Sequence, residues 1–389
     1  MIMFKVLFWL TAFLIFYAFI GYPLSLLLIN KVIKKKEIEI EIDTSLRPSV
    51  SIIIPAHNEE KVIEQKLNNL ISLNYPKELM EIIIASDNST DKTNELVEKF
   101  IEENGKYNII LYKVNKRQGK TNAQNEAVKV AKGEILVFSD ANAMLDKDSI
   151  IHLVSSFTSK DIIYVTGQLK YVNSIENLSS EAENRYWNYD LFIRKLESDI
   201  KTITAGNGAI YAIKKSEYID FDPIRCHDSA MPLYAALHNK KALYNPKALA
   251  YEKAGETSQD EFKRKVRMFR NILTSIFGMP KKYNIFKYGW FSYFYFGHRT
   301  LRYSLFILHF IIFITNILLI KKDIFYNLIF IMQCLFYLLA ACKKVFGFKN
   351  KIFYYPYYYS MTLVAQFYGA INQLTGKSKP FWEKAETTR

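Results

Sequence analysis

Short runs of consecutive apolar residues alternate with amphipathic stretches through the middle of the chain, and longer apolar runs bracket them. Ser51-Ile52-Ile53-Ile54, Glu81-Ile82-Ile83-Ile84-Ala85 and Asn108 to Val114 read as strands, and the run from Glu134 to Ser139 reads as a buried strand. Pro55 is expected to stop the first. Between them Val62, Ile63, Leu67, Leu70 and Ile71 recur at helical spacing. Asn94 to Phe100 also reads as helix, as does Asn122 to Ala131, ended by Gly133. Strands alternating with helices predict an α/β domain with a mostly parallel sheet. Beyond Asp161 the strand signals shorten to Ile162–Val165, Ala209–Ile213 and Ala248–Tyr251, and no internal repeat is visible.

Phe4 to Ile29 is long and apolar enough to cross a bilayer, and its flank of Lys31, Lys34, Lys35 and Lys36 is expected to stay cytoplasmic. A cleaved signal peptide fits less well, because the run is too long and no small-residue cleavage site follows. Phe262 to Arg302 is basic and aromatic, the pattern of amphipathic helices lying in a membrane interface. Three further apolar spans are expected at about Tyr303–Ile320, Ile324–Ala341 and Phe353–Leu374, with the loop of Lys343, Lys344, Lys349 and Lys351 cytoplasmic. The chain thus divides into an anchor (1–30), a charged linker (31–48), a cytoplasmic α/β domain (49–261), interface helices (262–302), a C-terminal membrane region (303–376) and a tail (377–389). This is the plan of an integral membrane protein.

Composition narrows the partners. The 389 residues include 27 Tyr and 28 Phe, which suits a membrane–water boundary. The net charge of +14 is compatible with nucleic acid, anionic lipid or phosphorylated substrates. Membrane lipids and phosphorylated substrates are favoured, because the basic residues cluster beside apolar spans. No RNP-type motif, zinc finger or Arg-rich tail speaks for nucleic acid. Cys226, Cys334 and Cys342 form neither a paired framework nor a metal spacing, and read as reduced structural thiols.

The candidate chemistry sits at strand ends. The apolar run ending at Ser139 delivers Asp140 and Asn142 to its carboxyl end, where open α/β sheets bind ligands. A carboxylate with a second oxygen ligand nearby suits a hard divalent cation that carries phosphates; an ordinary turn is the plain alternative. Asp87 follows a strand within Ser86-Asp87-Asn88-Ser89-Thr90-Asp91, where turn or capping chemistry is the plain alternative, and capping is assigned to Asp91. Gly119-Lys120-Thr121 resembles the tail of a phosphate loop. A Walker loop requires glycine at 114, where Val114 stands, so an ATPase reading is rejected. Arg117 and Lys120 remain as cations able to steer an anionic nucleotide. Asp228 could cap the helix that follows it, and His227 beside it reads as a structural donor. Arg264 and Arg267 lie three apart on a basic helix, with phospholipid contact as the alternative to catalysis. Gly206-Asn207-Gly208 allows close approach of an acceptor or is a simple turn. Tyr186, Trp187 and Tyr189 could stack on sugars or pack in a core.

Taken in order, Ser51-Ile52-Ile53-Ile54-Pro55-Ala56-His57-Asn58-Glu59-Glu60, Ser86 to Asp91, Gly119 to Asn125, Phe138-Ser139-Asp140-Ala141-Asn142 and His227-Asp228 resemble the family 2 inverting glycosyltransferases, in particular the membrane-bound synthases of cellulose, hyaluronan, chitin and poly-N-acetylglucosamine. The resemblance covers about Val50 to Asn271 and implies a GT-A fold, a nucleotide-sugar donor and Mg²⁺ or Mn²⁺. It implies that Asp87 contacts uridine, that Pro55, Ala56, Asn58 and Glu59 line the nucleotide site, and that Asp140, with Asn142, holds the metal at the diphosphate. Asp228 falls where the family's general base stands. Arg264-Lys265-Val266-Arg267-Met268 occupies the place of the Gln-x-x-Arg-Trp signature. Three departures stand out: Asn142 for the second Asp of Asp-x-Asp, His227 for Glu before the base, and Arg264 and Met268 for Gln and Trp. On this reading Arg267 and Lys120 stabilise the leaving diphosphate, and Asn207, Gly208 and Trp187 meet the acceptor, a growing polysaccharide. The alternatives are transfer of one sugar to a lipid-phosphate carrier, and a catalytically silent sugar-nucleotide-binding scaffold. Four spans are few for a translocation channel, which leaves room for a homo-oligomer or an export partner.

Overall fold

The computed structural model describes residues 1–33, 47–172, 178–253, 255, 257–348 and 350–381. The linker's Lys34, Lys35 and Lys36, the loop's Lys349 and the tail beyond Phe381 lie outside them.

Among the described residues eight strands form one sheet: β1 (Val50–Ala56), β2 (Met80–Ser86), β3 (Asn108–Lys113), β4 (Ile135–Ser139), β5 (Met144–Leu145), β6 (Ile162–Tyr171), β7 (Ile210–Lys214) and β8 (Lys241–Glu252). Their order is β3-β2-β1-β4-β7-β6-β8-β5. β3, β2, β1 and β4 run parallel; β7 is antiparallel to both β4 and β6. Alternation along the strands feeds two cores. Ile52, Ile54, Ile82, Ile84 and Val137 face one, while Ile53, Ile83, Leu136 and Phe138 face the other. Each of these isoleucines is buried, a contribution of about 1.5–3 kcal/mol apiece, and Ile83→Ala is expected to cost about 2–5 kcal/mol.

Pro55 does not stop the first strand. β1 stays paired with β2 through Ala56–Ser86 but with β4 only as far as Ile53–Phe138. Pro55 therefore sits where the strand has one partner, and a missing N–H is tolerated there. Nor does Gly133 end the preceding helix, which closes at Val130. A β-carbon at Gly133 would come within 2.4 Å of the Ser51 nitrogen, so the turn needs glycine for its close approach to β1.

Among the described residues, two helices are long and apolar enough to cross a membrane: Ile2–Ile33 and Ile324–Phe346. The four expected spans are not all reproduced. Leu305–Leu319 meets the same test only together with Trp290–Leu301, from which it is bent by 62°. The expected third C-terminal span forms the helix Lys351–Leu374, which fails the test. Its tyrosines and amides give it polar work against the end of the α/β domain and the segment that follows: Tyr358 donates to Glu261 at 3.3 Å and Gln373 accepts the Leu273 N–H at 2.8 Å. The long helix Leu178–Ile200 ties the membrane-flanking segments to the sheet. Its Glu197 accepts from the Tyr22 hydroxyl at 2.6 Å, and its Asp190 pairs with Arg194 at 2.6 Å and Arg302 at 3.0 Å.

Candidate active site

The carboxyl ends of β1, β2 and β4 open into one cavity of about 440 Å³. Pro55, Ala56, Glu59, Asp87, Lys120, Asp140, Asn142 and Arg267 all line it. Residues separated by more than 200 positions are thus gathered at the end of the sheet where parallel strands leave their ligands.

Asp87 follows β2 and is buried. Its carboxylate accepts the backbone N–H groups of Gln118 at 3.0 Å and Gly119 at 2.8 Å. Gly119 has φ +95° and carries the carbonyl of Pro380 so close that a β-carbon would lie 2.5 Å from it. The cap position of the helix that opens at Thr93 is Lys92, not Asp91; Asp91 stands one residue earlier, and its carboxylate accepts the Thr93 N–H at 3.0 Å. Asn58 does not line the cavity. It has φ +54°, and its side-chain oxygen accepts the Thr90 N–H at 2.7 Å, joining the loops after β1 and β2.

Lys120 opens the helix Lys120–Val130 and is the hub of the site. Its ammonium pairs with Asp140 Oδ1 and donates to the Gly208 carbonyl at 3.1 Å. Burial works against its charge, but the Asp140 carboxylate outweighs that, and its pKa stands above the ordinary lysine value. Arg267 is pushed down to about 10 by burial and by the Arg264 charge, and stays cationic at neutral pH.

Asp228 lies in the first turn of the helix His227–Leu237, across Lys120 from the cavity and not on its wall. Its backbone carbonyl accepts the Gly206 N–H at 2.6 Å. A β-carbon at Gly208 would stand 3.2 Å from the Lys120 nitrogen and 3.4 Å from Asp228 Oδ2, so this glycine keeps the space between cation and carboxylate open. Asn207 is buried and accepts the Ala209 N–H through Oδ1 at 2.9 Å. Trp187 is also off the cavity wall, with the Arg264 guanidinium 5.9 Å from its ring.

His227 is a structural donor, as its position suggests. Nδ1 faces the Tyr211 hydroxyl at 3.1 Å and Nε2 faces Asn125 Oδ1 at 3.1 Å. The Asn125 amide nitrogen is already committed to the Phe221 carbonyl, so Nε2 carries the hydrogen. Burial and the Lys120 charge depress its pKa to about 3. Arg264 is likewise committed, to Glu183 at 2.6 Å and to Glu261 through two bonds of 2.7 and 3.0 Å.

Lys66, Glu252 and Phe381 bear on the site and are among the residues not singled out from the sequence. Lys66 is fully buried and donates to Ser139 Oγ at 2.8 Å and to the Ala143 carbonyl, gripping both ends of the Asp140–Asn142 loop. Burial pushes its pKa down to about 7 against the pull of Asp140 and Glu252. Lys66 falls on the apolar stripe of its own helix, three after Ile63 and four before Leu70, and that was the available signal. Glu252, at the end of β8, accepts from the Asn142 amide at 2.6 Å. Phe381 reaches the cavity from the C-terminal end of the described chain, its ring under Arg117 at 4.9 Å. No sequence signal announces the last two.

Among the described residues no three His, Cys, Asp or Glu side chains cluster as metal ligands. Asp140, Asn142 and Glu252 nonetheless line one cavity as oxygen donors. That set fits a hard cation such as Mg²⁺, which is held by one or two carboxylates and completes its shell with phosphate and water.

Residues 51–217 match the family described as Glycosyl transferase family 2. Among curated proteins, the chain is 34% identical over 133 residues to the probable glycosyltransferase YdaM of Bacillus subtilis, covering 34% of this chain and 32% of that protein. It is 31% identical over 170 residues to a beta-monoglucosyldiacylglycerol synthase of Nostoc sp., covering 43% and 36%. It is 29% identical over 224 residues to a poly-beta-1,6-N-acetyl-D-glucosamine synthase of Staphylococcus epidermidis, covering 56% and 53%. The matches therefore span between a third and about half of these relatives. Among solved structures, a mannosyltransferase of Pyrobaculum calidifontis in complex with GDP-Man and Mn²⁺ superposes with a TM-score of 0.75 at 19% identity, covering 95% of this chain and 99% of that one, a likeness of fold. Sheet order, strand-end acids and sequence match agree: residues 51–217 of this chain are a glycosyltransferase domain of family 2, built on the GT-A fold.

Proposed function

We propose that the chain is a membrane-bound inverting glycosyltransferase that moves a sugar from a UDP-activated donor to a growing polysaccharide on the cytoplasmic side of the membrane. The observation that carries this reading is the placement of Asp87, Asp140, Lys120 and Arg267 on one cavity, with Asp228 just beyond Lys120. Asp87 receives the nucleoside, and its carboxylate is already oriented by two backbone N–H groups. Lys120 and Arg267 offset the charge that develops on the departing diphosphate. Asp140, Asn142 and Glu252 would hold Mg²⁺ or Mn²⁺, which when bound supplies further charge to the phosphate oxygens. Asp228 takes the proton of the acceptor hydroxyl as it attacks the anomeric carbon. One displacement inverts that centre. The apolar helices and the basic segments beside them hold the domain against lipid.

A second reading, transfer of a single sugar to a lipid acceptor, is favoured by one observation. Arg264 is locked by Glu183 and Glu261, and Met268 stands where processive synthases have Trp, so an acceptor-stacking indole is absent at that position. Incubating the purified, detergent-solubilised chain with a panel of nucleotide sugars and lipid acceptors and sizing the products tests both. Long polymer supports the first reading and a single glycolipid the second. UDP binding without turnover of any donor contradicts both.

A further inference from the structure

The helix Ile63–Ile71 buries Ile63, Leu67 and Leu70 on one face, and Lys66 lies on that same face with none of its surface exposed. Lysine is almost never buried so completely. A leucine or methionine would pack there without stripping an amine of water. A sequence that breaks a local rule in this way tends to do so at a functional site. The Lys66 nitrogen donates to two uncharged atoms, Ser139 Oγ at 2.8 Å and the Ala143 carbonyl. The Ser139 hydroxyl in turn donates to the Asp140 carbonyl at 3.4 Å. That carbonyl also accepts the Ala143 N–H at 3.2 Å, which closes a turn over Asp140–Ala143. One turn further along the helix, Asn69 grips the Leu145 main chain, donating to its carbonyl and accepting its N–H, each at 2.8 Å. The helix also follows directly on the loop after β1. The N–H groups of Val62 and Ile63 bond to the Glu59 carbonyl at 3.0 and 2.9 Å, and Ala56, His57 and Glu59 line the cavity. One element therefore joins the loop after β1 to the loop after β4.

Asp140, Ala141 and Asn142 are on the cavity wall, and Lys66 is not. We propose that Lys66 is a positioning residue for the diphosphate end of the donor site: by fixing the main chain at Ser139 and Ala143 from behind, it presents Asp140 and Asn142 where a divalent cation and a diphosphate can be taken up together. This rests on the reading of that loop as the metal and diphosphate site. On the cavity face the same two side chains have partners of their own, Lys120 for Asp140 and Glu252 for Asn142. The hold from behind keeps the turn in place against those pulls. With it lost, the Lys120 ammonium draws Asp140 away from a cation. The role asks only for two N–H donors, which a lysine side chain offers whether charged or neutral. It explains why an amine rather than an apolar side chain occupies the stripe: the turn has a hydroxyl and a carbonyl to be met beneath it.

Two changes test this in the full chain. Lys66→Met keeps the length of the side chain and removes its donors. Ser139→Ala removes one acceptor and the bond to the Asp140 carbonyl. The readouts are melting temperature, UDP affinity in EDTA, and the Mn²⁺ concentration that gives half of the gain in UDP affinity, all by calorimetry. For Lys66→Met the expected result is a rise of about tenfold in that Mn²⁺ concentration, the usual effect of losing a group that orients metal ligands. UDP affinity in EDTA should be unchanged, and the melting temperature equal or higher, because methionine suits the apolar stripe. Ser139→Ala should raise the Mn²⁺ concentration by about threefold, the loss of one hydrogen bond. A wild-type Mn²⁺ requirement in both variants overturns the inference, and a lower melting temperature beside it marks a packing role. Should Lys66→Met lower the melting temperature, Ser139→Ala decides: a raised requirement at wild-type melting temperature supports the inference, and an unchanged one overturns it. The wild-type chain separates this from the underlying reading. If Mn²⁺ leaves its UDP affinity unchanged, the metal reading falls and this inference with it. If Mn²⁺ strengthens UDP binding equally in all three proteins, only the role of Lys66 fails.

Discussion

The two sides of the site differ in how completely they are built. On the side of β1, β2 and β4, the polar groups are bonded to the protein itself. Asp87 is held by two backbone N–H groups, Asp140 by Lys120, Asn142 by Glu252, and the loop beneath by Lys66. On the side of β6, β7 and the helix His227–Leu237, Asp228 Oδ1 and the buried Asn207 amide nitrogen have no hydrogen-bond partner among the described residues. A preformed donor side lowers the reorganisation needed to bind a nucleotide, and an unsatisfied acceptor side favours the ligand that completes it. The contrast separates binding from chemistry: changes on the first side are expected in donor affinity, and changes on the second in turnover.

The largest effect is expected on the acceptor side. Asp228→Asn removes the base, and transfer should fall by about a thousandfold in a radiolabelled-sugar assay, with UDP affinity and melting temperature unchanged. Lys120→Met acts at the boundary of the two sides. It removes charge from the leaving diphosphate and leaves Asp140 without its partner, so kcat should fall on the order of a hundredfold. Chelation by EDTA should give a loss of about that same order, restored by Mg²⁺ or Mn²⁺; full turnover in chelator would remove the metal from the donor side. Asp87→Asn should weaken UDP binding about tenfold by calorimetry while kcat changes less. A reversed pattern, with kcat falling and affinity kept, would break the comparison.

The smallest effect concerns stability. The His227 pKa is about 3 in the fold, below the ordinary histidine value, because the ring is buried beside Lys120. As pH falls through the ordinary range the unfolded chain takes up a proton that the folded chain refuses, so stability present at neutral pH is lost as pH drops toward 3. The contribution is on the order of 1 kcal/mol per pH unit within that window. His227→Gln should flatten the dependence of melting temperature on pH between about 6 and 4. An unchanged slope would show that the ring titrates freely in the folded state.

Much of the donor side was legible in the sequence for a physical reason. Parallel strands covered on both faces read as continuous apolar runs, and the acid that follows such a run is marked by the abrupt change of polarity, as at Phe138-Ser139-Asp140. The positions of β1 to β4, β6 and β7 follow from such runs, and so do Asp87 and Asp140. What was not legible depends on tertiary packing. Lys66 interrupts an apolar stripe, but its partners, Ser139 and the Ala143 carbonyl, lie more than 70 residues away and appear only in the fold. Glu252 and Phe381 reach the cavity from segments more than 100 residues beyond Asn142. Asn58 carries the motif's resemblance yet serves as a brace between loops. The membrane region was misjudged where composition hides geometry. The 62° bend before Leu305 and the tyrosine contacts of Lys351–Leu374 are invisible in a count of apolar residues.

The account turns on one cavity receiving the donor between Asp87 and Asp140, with Asp228 waiting across Lys120. A structure of the full chain with UDP and Mn²⁺ bound tests this most directly. The expected result places the uracil within hydrogen-bond reach of Asp87 and the diphosphate on Lys120 and the Asp140–Asn142 loop, with the Asp228 carboxylate facing the side from which the sugar would be attacked. Nucleotide bound elsewhere, or a diphosphate that contacts neither Lys120 nor that loop, would contradict it.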